Sequence, residues 1–257
     1  MNSEQIQHII TGLNEDVRLD GRKALEYRDI EVEYGISNSA EGSARVRIGE
    51  TEVLAGVKME IGTPFPDKPG EGTIIVGAEL LPLSSPDFES GPPSIQAIEL
   101  ARVIDRGIRE SEAIDFKELC ITEGEKVWLI VIDICTLNDA GNLFDASALA
   151  VLAALKDAHF PGMKESGAVD YKVRTDKKVN LKDEPLSITV MRIGDKYIVD
   201  PITQEELAAD ARMTVGVRKD GKLCSLQKGG NSPLSAEDID NMMQIAVDKA
   251  EELRGKL

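Results

Sequence analysis

Histidine occurs only at His8 and His159, and cysteine only at Cys120, Cys135 and Cys224. Two histidines leave a His-rich metal site or a Ser-His triad little to draw on. An odd set of cysteines without metal-ligand spacing argues against a disulfide framework, and we read all three as small buried apolar residues. Positive charge is short too. Lys and Arg total 30 against 46 Asp and Glu, a net charge of -16 that repels polyphosphate at long range. Any contact with RNA therefore requires a local basic patch or a partner. No apolar run is long enough to cross a bilayer, and Met1 to Ile10 lacks the basic patch and apolar core of a secretory signal. The expectation is a cytoplasmic protein with no membrane partner.

What is present is ordinary for a folded chain, with 42% hydrophobic and 30% charged residues. The 257 residues suffice for one large core or two modest ones, and no internal repeat or low-complexity tract interrupts them. After a short helical stretch, Ile30 to Ile36 alternates with the period of a half-buried strand, and Ala44 to Ile48 and Glu52 to Ile61 continue it around Gly49-Glu50. An antiparallel meander is expected. The proline-rich run Thr63 to Gly70 predicts a loop, followed by a strand over Thr73 to Leu83. Pro92-Pro93-Ser94 opens a helix to about Ser111, with Leu100, Val103, Ile104 and Ile108 on one apolar stripe. The run Val127 to Cys135 predicts a buried strand, and Ala146 to Ala158 a mostly apolar helix ended by His159-Phe160-Pro161-Gly162.

From Gly162 to Lys182 the chain turns polar, so we divide it there into an N-terminal lobe, 1–161, and a C-terminal lobe, 162–257. Beyond lie two expected hairpins, Ser187 to Ile193 with Lys196 to Asp200, and Thr214 to Arg218 with Leu223 to Gln227. Ser235 and Asp238 form a capping-box pattern, and Ile239, Met243, Ala246 and Ala250 mark the buried face of a last helix. Strands then helices, twice, define an α+β chain.

Three segments carry a family resemblance. Arg18-Leu19-Asp20-Gly21-Arg22 with Glu26-Tyr27-Arg28 is similar to the N-terminal signature of the RNase PH family, and the element order agrees over nearly the whole chain. Thr63 to Gly72 with Glu79-Leu80-Leu81-Pro82 resembles most closely the non-catalytic RNase PH-like subunits of archaeal exosome rings. From Ile198-Val199-Asp200 to Met213-Thr214-Val215 the chain resembles the family's acid-bearing segment. Asp200 stands at its opening Asp and Glu206 at the next carboxylate, but Arg212 falls where the second acid belongs. The resemblance implies the RNase PH fold, two lobes of β-sheet packed with helices. It also implies phosphorolysis, in which inorganic phosphate attacks the last 3' linkage of RNA.

Such chemistry needs donors for phosphate, cations for the RNA backbone and acids for a metal or a proton. An Arg in an acid's place supplies no acceptor. The family's phosphate turn, ending Gly-Gly-Thr-Arg before a helix, corresponds here to Gly141-Asn142-Leu143-Phe144, and the following Asp145 adds a carboxylate that would repel phosphate. An Arg that active members carry three residues before a helix Glu corresponds to Gln96, before Glu99. Asp200 reads as satisfying backbone donors beside Pro201. We therefore assign no catalytic residue, no metal ligand and no cofactor.

On the long helix, Arg102, Arg106 and Arg109 share an arc opposite the apolar stripe. Guanidinium groups in a row grip phosphates without reading bases, although Asp105 and Glu110 are placed to neutralise them. The resemblance favours the RNA-binding reading. It implies a trimer of dimers with a catalytic RNase PH-like exosome subunit, single-stranded RNA as ligand, and leaves room for a cap of RNA-binding proteins. Two other readings stay open: a self-sufficient phosphorolytic 3'-5' exoribonuclease, and an acidic module with the fold but no RNA role.

Overall fold

The computed structural model describes residues 1, 3–165 and 167–257. Helix α1 (Ser3–Asn14) precedes the meander β1 (Ile30–Tyr34), β2 (Gly42–Ile48) and β3 (Thr51–Gly62). The pairings Ile30↔Ile48 and Ile48↔Thr51 fix the register around Gly49, whose φ of 56° favours glycine. Strand β4 (Thr73–Glu79) follows the proline loop, and helix α2 (Ile95–Glu110) starts at Ser94, whose side chain accepts from the Ala97 N–H. A 3-10 turn (Phe116–Leu119) and β5 (Cys120–Thr122) lead into β6 (Lys126–Asn138), which lies antiparallel to β3 and parallel to β4. The first sheet thus has the order β1-β2-β3-β6-β4.

Helix α3 (Leu143–Asp157) is apolar almost all round because it touches both sheets, and eleven of its fifteen residues are buried. The second half contains β7 (His159–Met163), β8 (Val169–Lys178), β9 (Leu186–Ile193), β10 (Lys196–Val199), α4 (Thr203–Ala208), β11 (Ala211–Val217), β12 (Leu223–Gly229) and α5 (Ala236–Arg254). Its antiparallel sheet runs β10-β9-β11-β12. Helix α5 packs on β9 and β11, while Ile9 and Leu13 of α1 cluster with Met191, Ile193 and Ile198 of the same sheet. One hydrophobic core joins Ile130, Leu149 and Ile188 across sheet, helix and sheet. No described helix is long and apolar enough to cross a membrane.

Several boundaries differ from the sequence reading. The strand expected to reach Leu83 stops at Glu79, because Leu81 begins a turn closed by Ser84. Helix α3 starts three residues earlier than Ala146, since Asn142 takes a left-handed conformation that launches it. The polar stretch after Gly162 is not featureless, for it forms most of the β7–β8 hairpin, whose pairing register is irregular and whose second strand is largely exposed. On α5 it is Met242, not Met243, that is fully buried beside Ala246 and Ala250. All three cysteines are half-buried, not buried.

Candidate functional site at the cleft between the sheets

The N-terminal Arg motif is spent on holding the second half of the chain. Arg18 donates Nε to Glu205 Oε1 (3.0 Å), Nη2 to Glu205 Oε2 (2.5 Å) and Nη1 to the Val199 carbonyl (2.9 Å). Arg22 Nη1 reaches Asp200 Oδ2 at 2.8 Å. Arg28 gives Asp200 two side-chain bonds, Nη2 to Oδ1 at 2.6 Å and Nε to Oδ2 at 2.8 Å, besides its backbone N–H at 2.8 Å. Asn142 Nδ2 adds a fourth group of donors at 3.0 Å. Asp200 is fully buried with φ 47°, and its two carboxylate oxygens accept five hydrogen bonds between them. A backbone donor is among its partners, as expected, but the guanidinium groups dominate.

Arg28 also fixes the turn ahead of α3, donating to the carbonyls of Ala140 (2.9 Å) and Gly141 (3.1 Å). Gly141 has φ 91°, and a Cβ there would lie 2.4 Å from the Pro201 carbonyl oxygen, so only glycine fits. The Asn142 N–H, which opens the helix, donates to Glu206 Oε1 at 2.8 Å. An N–H at a helix start is a ready donor for an anion, and here the Glu206 carboxylate occupies it.

Asp145 corrects one expectation. It points into the core, not toward an anion, and accepts from the Tyr27 hydroxyl (2.6 Å), the Thr189 N–H (2.8 Å) and Asn142 Nδ2 (3.2 Å). Burial pushes its carboxyl up to about 7 despite those donors. The same burial, with Asp145 beside it, holds the Tyr27 hydroxyl well above its ordinary range.

Between the sheets lies a cavity of about 260 Å³ whose lining includes six of the residues singled out in the sequence, Gln96, Glu99, Leu143, Phe144, Glu206 and Arg212, but none of the three α2 arginines. Arg212 pairs with Glu99 at 2.7 Å, and its guanidinium carbon sits 4.3 Å from the centre of the Phe144 ring. Opposite Arg212 on β12 is Gly229, where a Cβ would come within 2.6 Å of Arg212 Nε, so the missing side chain makes room for the cation. Burial raises the Glu206 carboxyl to about 7, with the charge of Asp139 adding to it, and burial raises Asp139 as well. Chemically the cavity offers apolar walls, two awkward acids and a guanidinium already neutralised by Glu99. Among the described residues no group of three or more His, Cys, Asp or Glu is placed to hold a metal.

The outer face of α2 carries the three arginines, each differently engaged. Arg109 is bound bidentately by Asp105 (2.8 and 3.1 Å), donates to the Ile74 carbonyl and lies 5.7 Å from the Phe116 ring centre. Arg106 is exposed and donates to Gln227 Oε1 at 3.3 Å. Arg102 is exposed and, among the described residues, makes no hydrogen bond or ion pair. Sequence reasoning missed Glu205 and Gln227, because each earns its place through a residue more than a hundred positions away.

Two sheets sandwiching a buried helix, with a charged cleft where that helix starts, make this an α+β protein of the RNase PH class. The chain belongs to the 3' exoribonuclease family, whose domain 1 model matches residues 26–161 and whose domain 2 model matches residues 183–249. It is 46% identical over 250 residues to the exosome complex component Rrp42 of Methanocella arvoryzae, covering 97% of this chain and 94% of that protein. Among solved structures it is similar to a chain of the Archaeoglobus fulgidus exosome with RNA bound to the active site, with a TM-score of 0.91, 43% identity, and coverage of 98% of this chain and 97% of that one. A chain of an archaeal exosome core is likewise similar, with a TM-score of 0.87, 40% identity, and coverage of 98% and 96%.

Proposed function

We propose that this chain is a non-catalytic RNase PH-like subunit of a cytoplasmic exosome ring, alternating with a catalytic homologue in a trimer of dimers. In that role it shapes the neighbour's active site and helps to bind single-stranded RNA, which the ring degrades 3' to 5' by phosphorolysis. The observation that carries this reading is Arg212, a cation seated against Glu99 and Phe144 where an active member needs an acid. Asp200 locked by Arg22 and Arg28, and the Asn142 N–H taken by Glu206, support it. The exosome complex names of its relatives favour the ring.

RNA contact is assigned to Arg102, Arg106 and Arg109, with the first two ahead, because Asp105 already compensates Arg109. Individual apolar side chains are available for burial between subunits, among them Ile95 at 86% exposed, Leu83 at 80% and Leu207 at 65%. We carry the division into lobes 1–161 and 162–257 as part of this reading. The two family matches flank 162–182, which supports it.

The test is paired. The purified chain alone, given single-stranded RNA, phosphate and magnesium, is expected to release no nucleoside diphosphate, and its native particle is expected to contain a second RNase PH-like chain. Sustained diphosphate release by the chain alone, or a homo-oligomeric native particle, overturns the proposal.

A further inference from the structure

The arginine face of α2 and the inverted pocket are joined by a polar chain that neither feature requires by itself. From outside inward it runs Arg106 Nη1 to Gln227 Oε1 (3.3 Å), Gln227 Nε2 to Glu99 Oε1 (3.5 Å), and Glu99 Oε2 to Arg212 Nη2 (2.7 Å). Arg212 in turn rests on Phe144. The chain crosses from α2 to the edge strand β12 and back, then on to β11.

A carboxamide has one donor end and one acceptor end, whereas guanidinium only donates and carboxylate only accepts. Placed between Arg106 and Glu99, Gln227 has a single orientation that satisfies both, with its oxygen outward and its nitrogen inward. Glu99 accepts from that nitrogen while anchored by Arg212. The partners of the neighbouring arginines sharpen the point. Arg109 is held by the carboxylate of Asp105, which cancels its charge, while Arg106 is held by a neutral amide, which steadies the side chain and leaves the charge intact. A long Arg side chain loses rotamer freedom when fixed, so a neutral brace reduces what binding must supply.

We propose that Gln227 is a positioning residue that presents Arg106 to an RNA phosphate, and that the Glu99–Arg212 pair of the inverted pocket is its anchor. The charge reversal at Arg212 then does more than remove an acid: it fixes the Glu99 carboxylate on which the brace is built. This inference rests on the RNA-gripping role of α2 proposed above.

The experiment measures binding of a labelled single-stranded oligoadenylate to the assembled ring, in phosphate-free buffer with chelator so that nothing is degraded, across a salt series. Arg106→Ala is expected to weaken binding and to lower the slope of log affinity against log salt by about 0.7, one phosphate contact on a single strand. Gln227→Leu, which keeps the cation but frees it, is expected to weaken binding about three-fold with a smaller change of slope than Arg106→Ala. The double variant is expected to bind no worse than Arg106→Ala. Gln227→Glu, close in shape, neutralises Arg106 and repels Glu99, so it too weakens binding and serves if the Leu variant misfolds. Wild-type affinity in both Gln227 variants while Arg106→Ala is impaired, or additive losses in the double variant, overturn the positioning role and leave the RNA grip standing. Wild-type affinity for Arg106→Ala overturns the grip at Arg106 and this inference with it.

Discussion

Arg18 and Glu205 form an ion pair with both side chains fully buried, although 187 residues separate them in the chain. It clamps the N-terminal turn to the start of α4, where Glu205 also accepts from the Ile202 N–H at 3.0 Å. Removing one member strands the other charge in the interior, the most destabilising way to break such a pair. Arg18→Ala is expected to lower unfolding free energy by about 3–5 kcal/mol, read from urea titrations. The double variant Arg18→Met with Glu205→Leu should lose less. A single variant as stable as wild type contradicts this account.

Asp145 sets a pH dependence. Its carboxyl is raised from 3.8 to about 7 in the folded chain, so the folded state holds a proton that the unfolded state has already released between those values. Stability from this group is therefore full below about pH 4 and falls as pH rises toward 7, then stays level. Glu206, also raised to about 7, acts in the same direction. Melting curves of wild type and Asp145→Asn between pH 5 and 8 should separate toward the alkaline end, with the wild type falling relative to the variant, because Asn stands in for the neutral acid and cannot ionise. Parallel curves would rule out the assignment.

Restoring the acid alone should not restore chemistry. Arg212→Asp leaves Leu143 and Phe144 in the phosphate turn and removes the partner of Glu99, so two carboxylates then share one wall. The expected outcome is no phosphorolysis by the isolated chain and a loss of about 1–3 kcal/mol in stability. Diphosphate release above that of the wild-type chain in a phosphate-dependent assay contradicts it.

Arg102 and Arg109 should behave oppositely although both sit on one helix face. Arg102→Glu in the assembled ring is expected to weaken RNA binding without changing the melting temperature, since that side chain makes no hydrogen bond or ion pair among the described residues. Arg109→Ala breaks bonds to Asp105 and to the Ile74 carbonyl, so it is expected to cost stability, about 1 kcal/mol, and to change RNA affinity less. Equal effects on affinity from the two substitutions would refute the distinction.

At Gly141 the backbone itself makes the prediction. Gly141→Ala must relieve a contact of 2.4 Å with the Pro201 carbonyl and leave a left-handed φ. The turn and the Asn142–Glu206 bond should loosen, with a loss of about 2 kcal/mol or more in urea titration.

Local pattern was sufficient for much of this molecule. Alternation from Ile30, realised as a strand to Tyr34 but not to Ile36, the Ser94 and Ser235 caps, and the stripe Leu100, Val103, Ile104 and Ile108 each state their structure through neighbours in the chain. Charge at Arg212 is likewise a property of the residue wherever it lies, and the fold sets that residue on the wall of the cleft. The hairpin β7–β8 was missed although Val169, Tyr171, Val173 and Thr175 alternate with charged residues, because a strand so largely exposed reads as a polar connection by composition.

By itself, then, the sequence determined the periodicities, the caps and the residues placed at the cleft, because those depend on side-chain type and near spacing. Only the tertiary structure decided what remote charges meet: that Asp145 faces Tyr27 and not a phosphate, that Arg18 pairs with Glu205, and that Gln227 joins Arg106 to the pocket. Electrostatic role depends on distance and burial, and both are set by how remote segments pack, which no local pattern encodes.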